Sequence, residues 1–393
     1  MNPTPAVCPV WLANLFRQAG GVVPFRQYME WALFHPERGY YGSGQVRIGP
    51  AGDFATSPSL GSDFAELLAQ QLIALLQSLS NDGRRLSLVE VGPGEGDLAA
   101  DLLQALHELA PDLMQRLELV LVERSSTLRS RQQQRLAAAQ ISKASMPPLR
   151  WCSLEELAAA PVQGVVLAHE LLDALPVDRV VFKGGGLQLQ GVALQNNSGC
   201  LDWCLLPLPE PMAEAIAASD CSLPPADAPE GWCSEWHGSY GAWFQSLSAA
   251  IDQGVLLVID YALEAERYYS SRRSEGTLMA YGGGAAGLDP LASPGAQDLT
   301  CHVCIESLNA AAASQGWQLL DQRRQGEMVL ALGLAERLHA LQRLPPQQLP
   351  EALQRREALL RLVDPAGLGE FRWLLYGRGV GASSLSLQAA PDI

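Results

Sequence analysis

A chain of 393 residues with 48% apolar and 18% charged side chains carries material for a large core, which excludes a disordered protein and fits two or three domains. Its net charge of −15 disfavours nucleic acid or an anionic membrane as partner and suits a cationic target, such as an arginine or lysine side chain on another protein. No apolar run is long enough to cross a bilayer and residues 1–20 hold a single arginine, so neither membrane insertion nor secretory or mitochondrial targeting is expected, and the expected compartment is cytoplasmic.

The chain opens with a helical, loop-rich stretch to about residue 79. Residues 23–34 place Phe25, Tyr28, Met29, Ala32 and Leu33 on one helical face, and His35-Pro36 stops the pattern. Residues 37–58 are glycine-rich and aromatic, a composition that is costly to order. They read either as a surface loop joining two helices or as a lid whose Asp53, Thr56 and Ser57 contact a cofactor. An amphipathic helix resumes over residues 62–79.

Residues 86–98 then read strand, glycine turn, helix. The apolar run 86–91 breaks into Gly92-Pro93-Gly94-Glu95-Gly96 before a helical period begins at Leu98. Glycines allow close approach of backbone to a ligand, and the free N–H groups opening the helix face an electron-rich group. A second strand over 117–122 ends in Glu123, the position of a ribose-binding carboxylate in a nucleotide-type βαβ unit. The spacing G-x-G-x-G, preceded by the acid Glu90, differs from the dinucleotide pattern G-x-G-x-x-G and resembles motif I of class I S-adenosylmethionine methyltransferases. On that resemblance Gly92, Gly94 and Gly96 shape the cofactor loop and Glu123 takes the ribose hydroxyls. Glu90 supports the loop or the amino group of the methionine part.

Further along, 97–109 is a helix with an apolar face. Residues 126–139 form a polar helix rich in Arg and Gln, read as a solvated outer face, and 149–151 a short strand. A buried strand over 164–168 ends in His169-Glu170-Leu171-Leu172-Asp173. Ligands of open α/β sheets bind beyond such strand ends. Glu170 and Asp173 there suit a guanidinium, which a carboxylate grips through paired N–H bonds. The competing reading has Glu170 capping the next helix and Asp173 making a local turn bond. His169 is either a base or a histidine that holds the loop through a backbone bond.

Three alternating segments after residue 177, separated by glycine-rich turns, read as an inserted β-meander. A helix over 239–253 and a buried strand over 255–259 lead to Asp260-Tyr261, a candidate lining of a substrate channel in which the tyrosine serves equally as packing. Residues 268–299 are long and poorly periodic around Gly282-Gly283-Gly284. A helix over 302–313, a strand over 317–321, a helix over 326–344 and a further helical stretch with a Pro345-Pro346 break follow. Residues 371–376 read as a late edge strand. Eight scattered cysteines read as reduced thiols. Cys200-x3-Cys204 falls in a strand-like segment and Cys301-His302-Val303-Cys304 leads into a helix, so no metal is expected.

The segments GYYGSGQVRIGPAGDFATSPSLGSDFAELLA, VEVGPGEGDLAADLL, LVERS and AHELLDALPV, with the later GTLMAY, DPLASPGAQDLTCHV and GLGEFRWLL, resemble the MidA family in order and over nearly the whole chain. That resemblance implies an α/β fold of the class I methyltransferase (Rossmann-like) type with a helical N-terminal segment, S-adenosyl-L-methionine as cofactor and, from the mitochondrial complex I assembly member, symmetric dimethylation of a protein arginine. The glycines at 282–284 depart from the family pattern and put that loop's role in gripping the same substrate in doubt. The expected organisation is an N-terminal helical and lid segment (1–80), a methyltransferase core (81–178 and 239–393) and a β-rich insert (179–238). The expected function is methyl transfer to an arginine of a partner protein; the alternative is an assembly or interaction factor that keeps the fold and acts by binding a partner. The oligomeric state, a homodimer included, is open.

Overall fold

The computed structural model describes residues 7–44, 57–79, 84–139, 145–381 and 385–388. Asp53 and Thr56 lie outside these residues. The chain divides into two units, one of residues 1–47, 173–242 and 262–311, the other of 48–172, 243–261 and 312–393.

The second unit is built on a seven-stranded sheet. In chain order its labelled elements are helix α1 (Ser62–Leu79), strand β1 (Leu86–Val91), helix α2 (Asp97–Leu109), strand β2 (Leu117–Val122), helix α3 (Ser126–Ala137) and strands β3 (Leu149–Cys152), β4 (Val162–His169), β5 (Ile251–Asp260), β6 (Gln318–Arg324) and β7 (Arg372–Arg378). The strand order is 3-2-1-4-5-7-6. Strands β1 to β5 pair in parallel, with Val91 beside both Val122 and Ala168, and β7 runs antiparallel between β5 and β6. This is the α/β arrangement the sequence leads one to expect. The chain reverses direction across the sheet between β1 and β4, which opens a crevice at their carboxyl ends.

Strands β1 and β4 are apolar almost throughout because helices cover parallel sheets on both faces. Leu68, Leu72 and Leu76 of α1 and Leu102 and Leu106 of α2 join Leu88, Val165, Leu257 and Leu375 in one buried core. Each such fully buried side chain contributes about 1.5–3 kcal/mol.

Several sequence expectations need correction. Residues 371–376 form no edge: β7 is an internal strand, and the polar QLLDQRR of β6 forms the edge instead. The apolar run FRWLLY is buried on both faces, whereas β6 is exposed along much of its length. The helix expected over 23–34 begins at Phe25, because Val22–Pro24 pairs as a strand with residues 191–193. The helix expected over 239–253 stops at Ala250, and Ile251 already belongs to β5. The helix expected over 326–344 is two helices, Gln325–Ala331 and Leu334–Leu341, parted at Gly333 with φ +103°. Helix α3 is not solvated throughout: Leu128, Gln132 and Leu136 make a buried stripe at helical spacing.

In the first unit the expected meander is present. Asp178–Lys183, Gly186–Leu194 and Leu201–Leu206 pair antiparallel in succession, and Cys233–Trp236 adds beside the first of them. Val180, Trp232, Tyr268, Tyr269 and Cys304 share this unit's apolar cluster. The segment read as poorly periodic holds a hairpin, Met279–Gly282 against Ala285–Ala286. Gly283 and Gly284 turn it with φ of +58° and +77°, the two positive values that a two-residue turn of this hand requires. Among the described residues no helix is long and apolar enough to cross a membrane.

Candidate functional site

The site is built where β1 ends. The Gly92 N–H donates to Val122 O at 3.1 Å, which ties the start of the loop to β2. Gly92, Gly94 and Gly96 have φ of +71°, +54° and +85°, all in the left-handed region that side chains with a Cβ avoid. A Cβ on Gly92 would also sit 2.7 Å from Leu171 Cδ1, and one on Gly96 would sit 3.1 Å from Gln132 Cγ. Gly96 opens α2 without a side-chain cap, so the positive end of that helix faces the crevice.

Glu123 follows β2. Its Oε1 accepts the Ser125 N–H at 2.7 Å and its Oε2 accepts from Gln132 Nε2 at 3.3 Å. Burial raises its carboxyl above the usual range, and these donors oppose the rise. The same Gln132 Nε2 donates to Gly94 O at 2.8 Å, and Gln132 Oε1 accepts from Trp151 Nε1 at 3.1 Å. A single buried amide therefore joins the glycine loop, the acid after β2 and the end of β3. Sequence reasoning passed over Gln132. The available signal was its place four residues from both Leu128 and Leu136, a polar side chain on the apolar stripe of a polar helix.

Glu90 lies within β1, buried. Its Oε2 has no hydrogen-bond partner among the described residues, and burial pushes the carboxyl up to about 8. An orphaned acid beneath a glycine loop, a second acid at the end of β2 and a helix start without a side-chain cap suit a ligand that carries a cationic amine and a vicinal diol. S-adenosyl-L-methionine is such a ligand.

The end of β4 carries the second cluster. Glu170 has φ +47°, which is unusual for a residue with a Cβ. Its N–H donates to Ile259 O at 2.9 Å, and its Oε1 accepts the Ser57 N–H at 3.2 Å. Ser57 is buried beside Gln325, whose Nε2 reaches its hydroxyl at 3.4 Å. The N–H groups that follow Glu170, those of Leu171 and Leu172, donate to Asp260 Oδ2 at 3.2 and 2.9 Å, and Asp260 Oδ1 accepts the Tyr261 N–H at 2.8 Å. Asp260 thus shapes the loop from within. The Tyr261 ring packs on Phe371 at 3.9 Å.

His169 is buried with its ring edge-on to Phe64 at 5.3 Å, and burial lowers its pKa to about 3, so it is neutral. Its Nε2 stands 3.7 Å from Glu170 Oε1, beyond hydrogen-bond distance. Asp173 belongs to the first unit. There its carbonyl accepts the Cys301 N–H at 2.9 Å, and its charge raises the phenols of Tyr41 and Tyr281, secondary to their burial. Tyr41 donates to Asp298 Oδ2 at 2.8 Å. Ser153 makes a reciprocal cap with Glu156 at the start of the helix Leu154–Ala158. All eight cysteines are free thiols, and among the described residues no group of three acids, histidines or cysteines is placed to hold a metal.

Residues 67–322 match the protein family described as "Putative S-adenosyl-L-methionine-dependent methyltransferase". A crystal structure of a Burkholderia thailandensis protein bound to S-adenosyl-homocysteine superposes with a TM-score of 0.81 at 31% identity, covering 94% of this chain and 92% of that one. The Drosophila melanogaster mitochondrial protein arginine methyltransferase NDUFAF7 homolog is 29% identical over 393 residues, 93% of this chain and 84% of its own. The Danio rerio mitochondrial protein arginine methyltransferase NDUFAF7 is 28% identical over 315 residues, 76% of this chain and 70% of its own.

Proposed function

We propose a protein-arginine acceptor for this chain, which belongs to the S-adenosyl-L-methionine-dependent methyltransferase family and uses that cofactor. The two relatives named above as protein arginine methyltransferases support the substrate class, as does the net charge of −15. The observation that carries the proposal is Glu170. Backbone strain of this kind persists only where surrounding structure holds it, and it concentrates at functional positions. Here Asp260 and the Ile259 carbonyl hold a carboxylate at the carboxyl end of β4, on a loop whose next residue, Leu171, lies against Gly92.

When bound, the cofactor supplies an activated methyl group on a sulfonium. The residues of this chain supply binding and alignment. Glu123 accepts from the ribose hydroxyls, and the orphaned Glu90 faces the amino group. Glu170 accepts paired N–H bonds from a guanidinium and directs one nitrogen toward the methyl group. Buried His169, its pKa held down to about 3, is too weak a base for the proton that leaves the nitrogen and instead holds the shape of the loop, while that proton passes by way of the Glu170 carboxylate to solvent. Alignment of two reactants can be worth about 7–11 kcal/mol, so no strong base is required. Symmetric dimethylation of the arginine is the proposed product.

Methyl-tritiated cofactor, incubated with the protein and arginine-containing peptides or lysate, tests the proposal through amino-acid analysis of the labelled product. Label in symmetric dimethylarginine supports it. Label confined to lysine, or to small molecules, refutes the acceptor, and no transfer by protein that binds the cofactor moves the weight to a partner-binding role.

A further inference from the structure

We propose that Gln132 is the positioning residue of the cofactor site, holding the Gly94 backbone and the Glu123 carboxylate in one fixed relation while Trp151 locks it from behind. The inference rests on Glu123 being the ribose-binding acid.

The amide has only one possible orientation. Gly94 O can only accept and Trp151 Nε1 can only donate, so Nε2 must face the loop and Oε1 must face the indole. Both hydrogens of Nε2 are then used, one on Gly94 O and one on Glu123 Oε2. With Ser125 N–H on Oε1 and Gln132 on Oε2, each oxygen of Glu123 has its own donor and the plane of the carboxylate is set.

A core glutamine that only satisfies itself would have no reason to choose these partners. Here the helix around it grips the same four-residue stretch. Arg131 pairs with Glu95 at 2.8 Å and Arg135 pairs with Asp97 at 2.7 Å. Gly96 lies against Gln132 itself, where a Cβ would come within 3.1 Å of Cγ and 3.3 Å of Cα. Helix α3 therefore acts as a clamp on the loop from 94 to 97, with Gln132 as a buried, uncharged tooth.

The role separates from simple packing through pH. Gln132 is among the donors that favour the ionised form of Glu123 against burial. Leucine at 132 removes that donor, so Glu123 protonates more easily and the acid limb of cofactor binding moves to higher pH. Glutamate at 132 does the opposite: once ionised it cannot donate and it repels Glu123, so its deficit grows as pH rises.

Calorimetric titration of the full chain with S-adenosyl-homocysteine between pH 5 and 8 tests this, using wild type, Gln132→Leu, Gln132→Glu, Trp151→Phe and Glu123→Ala. Gln132→Leu is expected to raise Kd at least about tenfold, with the deficit largest at low pH. Gln132→Glu shows the reverse trend and keeps the inference testable if the leucine variant fails to fold. Trp151→Phe, which removes the donor behind the amide together with part of the ring, weakens binding less and leaves the acid limb in place. Wild-type affinity and profile in a folded position-132 variant, alongside lost binding in Glu123→Ala, overturns the inference. Wild-type affinity in Glu123→Ala overturns the ribose assignment and the inference with it.

Discussion

Replacing Glu90 by glutamine tests the burial argument directly. In the folded chain its carboxyl is pushed up to about 8, from an ordinary value of 4.5, and desolvation is the cause. A raised folded value means that the folded state keeps its proton where the unfolded state has lost it. Stability linked to this group is therefore fully present below pH 4.5, declines as pH rises, and is lost once pH passes the folded value of about 8. The gap corresponds to roughly 5 kcal/mol at 1.36 kcal/mol per pH unit, of which about 3 kcal/mol is already lost at pH 7. Glutamine cannot ionise, so Glu90→Gln abolishes this slope. Because Oε2 has no partner among the described residues, the new amide brings a desolvation cost of about 1–3 kcal/mol at every pH. The informative quantity is thus the difference in slope, not the difference at one pH. Urea titrations of the cofactor-free proteins from pH 5 to 9 measure it. The variant should gain on wild type as pH rises to about 8 and level off beyond it, and parallel profiles would refute the reasoning. A saturating cationic cofactor should narrow the gap, since an adjacent ammonium stabilises the ionised acid.

Glu170→Gln should lower methyl transfer at least about 100-fold while cofactor affinity stays at the wild-type value, measured by labelled-methyl turnover beside calorimetry. Gly96→Ala meets both a φ of +85° and the Gln132 side chain. A cost of about 1–2 kcal/mol from the backbone alone, with weakened cofactor binding, is expected by denaturant titration and calorimetry. Asp260→Ala strands the N–H groups of Leu171, Leu172 and Tyr261. It should destabilise the protein by roughly 2–5 kcal/mol and cut turnover more than cofactor affinity; unchanged turnover would show that the Glu170 loop holds its shape without it. Replacing Gly283 and Gly284 together by alanine should cost about 2–4 kcal/mol, at about 1–2 kcal/mol for each left-handed residue, and an unchanged unfolding midpoint would sink the turn argument.

The parts of the fold that could be read in advance are those governed by neighbours in the chain. The strand 86–91, the glycine turn and the helix 97–109 were legible because apolar period and left-handed backbone are local properties, and they locate the glycine loop to the residue. Glu123 and Glu170 were legible as acids at strand ends for the same reason. The two-residue glycine turn at 283–284 was equally local, yet it was missed because its flanking strands are short and only weakly alternating.

Sequence alone determined the strand-loop-helix unit, the two strand-end acids and the alternating meander, since each follows from periodicity and from which residues tolerate a given φ. Tertiary structure alone decided that β7 enters between β5 and β6, because strand order depends on pairing between segments far apart in the chain. It also decided that Asp260 shapes the Glu170 loop and that one polar residue of a polar helix, Gln132, is buried against the glycines. Those roles belong to side chains whose partners lie far off in the chain, and hydrogen-bond donors find such partners only after the core has brought the elements together.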